Sequence, residues 1–321
     1  MNFLHFMAPM MRHEFAIATI VYVFLCALSP LASRAWASDP GPLREKRWIH
    51  GSENCESNTD PAIESYAYSQ NTYVLRQNKC LSYEAPFMYL LIGDYRALLL
   101  DSGATAESTV FPLYQVVKRL IGDKPLLVLH SHGHRDHKAA DGQFVDKAGV
   151  EVIGVKFDEL QAFFEFDQWP DDEAILHLGD RDLHIIPTPG HQEEAITVYD
   201  SQTGWLFTGD TIYPGRVYVK NWSAYRDSVS RLAVFAENYP ITALLGGHIE
   251  MNASSGEVYP IGTHYQPAEA ALPLATEVLL EMVVVLDRHQ QPVEIDLPEL
   301  SIVPMNGLQR TVSNIARWLN R

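Results

Sequence analysis

Short apolar runs bounded by turn residues recur along the chain and alternate with stretches whose apolar residues have helical spacing. Phe87–Ile92 and Ala97–Leu100 flank Gly93-Asp94, which predicts a β-hairpin. Val110 begins a helical pattern that runs to Ile121 and stops at a glycine. This alternation of strands and helices predicts an α/β or mixed sandwich fold.

The same periodicities predict the remaining elements. Strands are expected within residues 66–83 and at residues 126–129, 150–155, 183–186, 195–199, 205–208 and 241–245. Helices are expected at residues 143–148, 223–239 and 272–286, and a last helix from the stripe of Leu308, Val312, Ile315 and Leu319.

Residues 157–169 stand apart because five aromatic side chains crowd into one acidic segment. The segment forms either a lid or wall over a pocket, or a helix that packs its aromatic residues into the core. Tyr218, Trp222 and Tyr265 are further candidates for lining an apolar pocket, with core packing as the alternative for each.

Residues 1–37 have the pattern of a secretory signal peptide. Arg12 and His13 precede an apolar run at residues 15–28, and Ala35-Trp36-Ala37 resembles a cleavage site. A membrane anchor is the alternative, although the run is shorter than the ~20 residues that a bilayer span prefers. We expect a secreted or periplasmic protein, with an extension at residues 38–72 and a main domain with a helical tail at residues 73–321.

The cysteines agree with export. Cys26 lies in the expected signal peptide, so Cys55 and Cys80 remain in the mature chain. Two cysteines in an exported chain suggest one disulfide, and two separate buried thiols are the alternative.

Charge narrows the substrate class. The 321-residue chain carries a net charge of −16, and an acidic protein repels phosphate backbones. Nucleic acid is therefore a poor candidate partner, although solubility alone also accounts for the acidity.

Residues 130–137 contain the most informative chemistry, a His-rich run directly after a predicted strand. His132, His134, Asp136 and His137 follow the spacing H-x-H-x-D-H, and imidazole and carboxylate are the usual ligands of zinc. Side chains at i and i+2 of an extended segment point the same way, so His132 and His134 can reach one metal. Asp136 and His137 lie past the turn and can face a second metal.

Three later residues extend this set. His191, Asp210 and His248 each follow a glycine at the end of a strand-like stretch. Glycine allows the backbone to approach closely and turn sharply. Together with the histidine run they make seven candidate ligands.

The order of these motifs resembles that of the metallo-β-lactamase-fold hydrolase superfamily over about residues 73–262. The matching stretches are LLLDSGA with Asp101, SHGHRDH, PTPGH, TGD and GGH. The resemblance implies an αβ/βα four-layer sandwich with two divalent metal ions, zinc by default, and iron or manganese as alternatives. It implies His132, His134 and His191 on the first metal, Asp136, His137 and His248 on the second, Asp210 as a bridge, and Asp101 orienting a ligand.

The bridging position separates branches of the superfamily. Branches that hydrolyse lactams usually have Cys or Ser there, whereas Asp210 looks more like glyoxalase II-type thioesterases and acyl-homoserine lactonases. Lactonases have a tyrosine at the offset of Tyr213, where it can donate to a substrate carbonyl. One departure is that Gln192 follows His191 where many members have Thr or Ser.

The resemblance implies a hydrolase that uses a metal-bridging hydroxide to cleave a small-molecule lactone, ester or thioester, and the signal-peptide pattern adds the expectation that it is exported. Asp136 would orient the nucleophile or shuttle its proton. A β-lactamase and a non-catalytic metal-binding accessory protein are the alternatives, and a phosphodiesterase is disfavoured by charge. No stable membrane anchor is expected.

Overall fold

Two six-stranded sheets form the centre of the computed structural model, which describes residues 41–311 and residue 313. The first sheet has the spatial order β1 (Ile63–Ala67), β2 (Thr72–Gln77), β3 (Phe87–Ile92), β4 (Ala97–Leu100), β5 (Leu126–Leu129) and β6 (Val150–Val152). Its first four strands are antiparallel, and β4, β5 and β6 run parallel.

The second sheet contains β7 (Ala174–His177), β8 (Asp182–Pro187), β9 (Ile196–Asp200), β10 (Trp205–Gly209), β12 (Ala243–Gly246) and β13 (Pro273–Leu274). Its spatial order is β13-β12-β10-β9-β8-β7, with β10 parallel to β12. A small third sheet has the order β11 (Arg216–Val219), β15 (Ser301–Pro304) and β14 (Ile295–Asp296).

The helices are α1 (Pro42–Glu45), α2 (Leu113–Ile121), α3 (Arg135–Lys138), α4 (Phe157–Phe164), α5 (Trp222–Asn238) and α6 (Thr276–Arg288). Successive strand residues point to opposite faces, and this splits the apolar side chains among three buried clusters. Leu98 and Phe207 lie in the cluster between the two sheets. Leu99 packs with α2, whereas Leu206 packs with α5 and α6. The layers therefore follow the αβ/βα order that the family resemblance implies.

Most predicted elements are confirmed, and the differences have local causes. The predicted strands are present, although the one expected to end at residue 155 stops at Val152. The helix expected from Val110 begins at Leu113, and residues 272–274 of the expected tail helix include β13, so α6 starts at Thr276.

The helix predicted at residues 143–148 is wrong. A 3₁₀ turn at Asp141–Gln143 is followed by turns, and Asp146 and Gly149 have φ values of 59° and 76°. The Gln143 amide donates to the carbonyls of Ala106 and Phe111, so a distant loop ties this segment down.

The aromatic segment packs against the core between the sheets. Leu160 and Phe166 are buried there, and Phe163, Phe164 and Trp169 cover it as partly buried side chains. Core packing is therefore the arrangement that the structure shows for these residues.

The N-terminal extension is attached to the main domain. Cys55 and Cys80 form the predicted disulfide. Leu43 and Trp48 are buried in the cluster between the sheets. The expected signal peptide lies outside the described residues, and so does most of the last predicted helix. The part of that helix that the structure describes, residues 307–311 and 313, is helical. Among the helices that the structure describes, none is both long and apolar enough to cross a bilayer.

A buried ion pair connects the two sheets. Arg181 donates to Asp200 at 2.8 Å and 2.6 Å, and both side chains have 0% exposure. Arg181 Nη1 also donates to the carbonyl of Asn71, directly before β2, at 2.8 Å. Removing one partner leaves the other charge buried and unpaired.

We predict that Arg181→Met lowers the free energy of unfolding by about 3–5 kcal/mol. Lys118→Met, which removes an exposed partner of Asp123, serves as the control and changes it by under about 1 kcal/mol. Urea unfolding of both variants measures the difference, and an Arg181→Met midpoint equal to that of the control would contradict the prediction.

Candidate metal centre

The seven predicted ligands lie at one edge of the two sheets, where four strands end. His132 and His134 follow β5, and α3 carries Asp136 and His137. The other three ligands follow β8, β10 and β12: His191, Asp210 and His248.

Glycine is required beside two of these ligands because neighbouring side chains occupy the space that a Cβ would fill. A Cβ at Gly247 would lie 2.7 Å from Asp210 Oδ1 and 2.8 Å from His137 Cε1. A Cβ at Gly209, where φ is +50°, would lie 2.5 Å from Ser131 Cβ. The glycines that precede Asp210 and His248 are therefore explained by the lack of room for a side chain at these positions.

The first group of donors comprises His132, His134, His191 and Asp210, whose donor atoms all lie within 4.8 Å of one another. Nδ1 of His134 is 2.9 Å from Nε2 of His132 and 3.0 Å from Nε2 of His191. Asp210 Oδ2 lies 3.6 Å from Nε2 of His191.

The second group comprises Asp136, His137, Asp210 and His248, again with donor atoms within 4.8 Å. Nε2 of His248 is 3.2 Å from Asp136 Oδ2 and 3.3 Å from Nε2 of His137. Asp210 Oδ1 lies 3.3 Å from Nε2 of His137. Asp210 thus belongs to both groups and presents one oxygen to each.

The partners of the far ring nitrogens show that the donor set fits a divalent metal. Nδ1 of His191 lies 2.7 Å from the carbonyl of Tyr218, and Nδ1 of His248 lies 2.9 Å from the carbonyl of Glu84. A carbonyl only accepts, so each Nδ1 carries a proton, and in the neutral ring Nε2 then keeps its lone pair. Each of these lone pairs faces the other donors of its own group, and a cation in each group would turn the repulsion among those donors into attraction, as zinc does with imidazole ligands.

Electrostatics differ between the groups. Burial lowers the pKa of His134 to about 3 and that of His132 well below its usual range, so both rings are neutral. Burial also opposes the charged form of His137 and His248, but the carboxylates of Asp136 and Asp210 outweigh it. The pKa of His248 rises to about 9, and that of His137 rises well above its usual range. A metal that enters the second group therefore displaces protons.

Asp101 orients the second group, as the resemblance implies. Its carboxylate accepts from the Ser131 backbone N–H at 2.7 Å, from Ser131 Oγ at 2.9 Å and from His137 Nδ1 at 2.8 Å. Asp101 has a φ of 65°, a left-handed conformation that costs about 1–3 kcal/mol outside glycine. The surrounding contacts hold the carboxylate in place against this strain.

Tyr213 packs its ring against His248, with ring centroids 5.7 Å apart. Its hydroxyl donates to the backbone carbonyl of Arg216 and lies 3.4 Å from Glu250. Burial, and then the Glu250 carboxylate, raise the pKa of Tyr213 well above its usual range, so the hydroxyl stays protonated. In this arrangement the protein backbone already accepts that proton.

Three residues at the centre were missed from the sequence. Glu84 provides the carbonyl for His248, and its partly buried carboxyl has a raised pKa, first from burial and then from Asp136. Ser131 Oγ reaches Asp101, and the Gln192 amide lies 2.7 Å from His134 Nε2. Only Gln192 carried a signal, as the departure that follows His191.

An open cleft of about 550 Å³ is lined by Gly190 and Gln192, the neighbours of His191, and none of the seven ligands is among its lining residues. Lys220, Trp222 and Arg310 line it together with Gln192. Trp222 is thus a predicted aromatic residue that lines a cavity. The other two candidates for lining a pocket have different contacts. The backbone carbonyl of Tyr218 accepts from His191, and the ring of Tyr265 packs against His50.

Comparisons with known proteins give relatives of two kinds. A hydroxyacylglutathione hydrolase of Mesorhizobium japonicum is 26% identical over 125 residues, which cover 38% of this chain and 48% of that protein. The acyl-coenzyme A thioesterase MBLAC2 of Gallus gallus is 24% identical over 222 residues, 56% of this chain and 77% of that protein. The chain thus spans about half the length of the first of these relatives.

A metallo-beta-lactamase from Pontibacter korlensis superposes with a TM-score of 0.48 at 16% identity, covering 71% of this chain and 100% of that one. The family model of the metallo-beta-lactamase superfamily matches residues 84–248, just over half of the chain and the span from Glu84 to the last ligand. The chain therefore belongs to the metallo-beta-lactamase superfamily.

Proposed function

We propose that this protein is an exported hydrolase with two metal ions that cleaves a lactone, ester or thioester of a small molecule, thioesters first among them. The observation that carries the proposal is the position of Asp210, whose two oxygens face the two donor groups. The signal-peptide pattern of residues 1–37 and the Cys55–Cys80 disulfide support export.

The donor groups would hold the ions, zinc by default. When bound, the two cations supply Lewis acidity and lower the pKa of water between them. Asp136 is a candidate to orient the attacking water, because its side chain is 21% exposed and its pKa, held well below the usual range, keeps it an ionised acceptor. Burial opposes that ionisation, and His137 and His248 outweigh it. As a carboxylate, Asp136 accepts a hydrogen bond from the attacking water and can move its proton to the leaving group.

The cleft supports a thioester with an acidic thiol. Lys220, which pairs with Glu193 at 3.3 Å, and Arg310 leave the lining of the cleft with more positive than negative charge beside Trp222, in a chain that is strongly acidic. This combination suits a leaving group that is both anionic and partly apolar. The relatives named as a hydroxyacylglutathione hydrolase and an acyl-coenzyme A thioesterase support the same class.

We expect the zinc-loaded mature chain to hydrolyse a glutathione or coenzyme A thioester faster than an acyl-homoserine lactone or a β-lactam. Asp210→Asn should lower kcat/KM by at least about 100-fold, because the ligand shared by both groups is weakened. Asp182→Asn, which removes an exposed carboxylate paired with His177, is the matched control and should leave kcat/KM unchanged.

A β-lactam as the sole substrate would overturn the thioester assignment. If the protein binds metal but cleaves none of these thioesters, lactones and β-lactams, the proposed hydrolase activity would be wrong. That result would favour a metal-binding accessory protein.

The two donor groups also predict metal content. Wild-type protein should hold two zinc ions per chain, whereas His191→Ala and His248→Ala should each retain about one, because each removes a ligand of one group only. Elemental analysis of dialysed protein measures this. A full complement of two in both variants would show that these groups do not hold the ions.

Tyr213 has two candidate roles with different readouts. Because its hydroxyl donates to the Arg216 carbonyl, we expect Tyr213→Phe to lower the free energy of unfolding by about 0.5–1.5 kcal/mol and to change kcat only a few-fold. Unfolding curves and steady-state kinetics measure both effects. A drop in kcat of about 100-fold at unchanged stability would instead establish the hydroxyl as a donor to the substrate.

A further inference from the structure

Gln192 makes a contact with the metal centre that the ligand motifs do not anticipate. Its side chain is buried, with 1% exposure, directly after the ligand His191. The end of its amide lies 2.7 Å from His134 Nε2 and 3.2 Å from Ser313 Oγ. His134 Nε2 is the ring nitrogen opposite Nδ1, and Nδ1 is the atom that converges with His132 and His191.

The tautomer of His134 decides which end of the Gln192 amide, the oxygen or the NH₂, must face Nε2 of His134. A neutral imidazole carries one N–H, so a ring that gives its Nδ1 lone pair to a cation keeps its proton on Nε2. That Nε2–H needs an acceptor, and the NH₂ of an amide cannot be one. A flip about the Cγ–Cδ bond places the amide oxygen at the same point without moving the chain.

We propose that Gln192 is a positioning residue for the first donor group. Its amide oxygen accepts from His134 Nε2–H and so holds Nδ1 of His134 as the free donor. With the NH₂ facing the ring, Nε2 would be the acceptor and Nδ1 would carry the proton, which blocks Nδ1 as a ligand. The orientation of one neutral amide thus selects the tautomer that can bind a cation.

The same oxygen can serve a second donor. An amide oxygen has two lone pairs, and the hydroxyl of Ser313, 3.2 Å away, can donate to the one that His134 leaves. Gln192 therefore joins a ligand of the centre to the C-terminal helical residues.

The test is zinc affinity, measured on the mature chain by competition with a chromophoric chelator. Gln192→Met keeps the length of the side chain but offers only a weak acceptor, and we expect it to weaken the first group by about 10–100-fold. Gln192→Glu keeps a strong acceptor and should bind zinc at least ten times more tightly than Gln192→Met. Packing alone predicts the opposite order, since methionine suits a buried site better than a carboxylate.

Two control variants separate the loss of the hydrogen-bond acceptor for His134 from other effects of substitution. Gln202→Met makes the same chemical change at an exposed turn and should leave zinc affinity unchanged. Ser313→Ala should also bind zinc as the wild type does, because His134 keeps its acceptor. Wild-type affinity in Gln192→Met, a weaker Gln192→Glu, or a loss in Ser313→Ala equal to that in Gln192→Met would each overturn the proposal.

The inference rests on the proposed function only in taking the first group as a metal site. Because affinity is measured without turnover, a chain that binds two zinc ions and cleaves no substrate would remove the proposed hydrolase and leave the role of Gln192 standing.

Discussion

The division of one carboxylate between two histidine groups is the constraint on which the rest of the centre depends. Oδ2 of Asp210 faces His132 and His191 at 3.8 Å and 3.6 Å, whereas Oδ1 faces His137 and His248 at 3.3 Å and 3.4 Å. The two histidines of the second group are 111 residues apart in sequence. They meet because β5 and β12, although in different sheets, end at the same edge.

The outer partners of the imidazoles extend this constraint through the fold. Tyr218 on β11 accepts from His191, Glu84 before β3 accepts from His248, and Asp101 after β4 accepts from His137. The third sheet and the two central strands of the first sheet therefore fix which ring nitrogen faces inward. Ligand orientation depends on these distant segments as much as on the motifs that carry the ligands.

The difference between local motifs and contacts from distant segments explains which features could be predicted from the sequence. The four ligands of residues 132–137 were accessible because their residue types and spacing are local, and the strands because short continuous apolar runs mark burial on both sheet faces. His191, Asp210 and His248 completed the set through the glycine before each and the order of the motifs. The carbonyls of Glu84 and Tyr218 were not accessible, since every residue has a carbonyl. The false helix at residues 143–148 has the same origin, because the Gln143 contacts that prevent it reach to Ala106 and Phe111.

The residues that form the metal centre and the residues that line the cleft come only partly from the same region of the chain. The family match ends at residue 248, the last ligand, and the motifs that define the centre lie inside it. The cleft beside the centre is built partly by Lys220 and Trp222, within the match, and partly by residues 290–292 and Arg310, beyond it. Gln192 connects the two parts through Ser313. The lining of this cleft therefore lies partly outside the region that the family model matches, which is why the motifs identify the family and leave the substrate open.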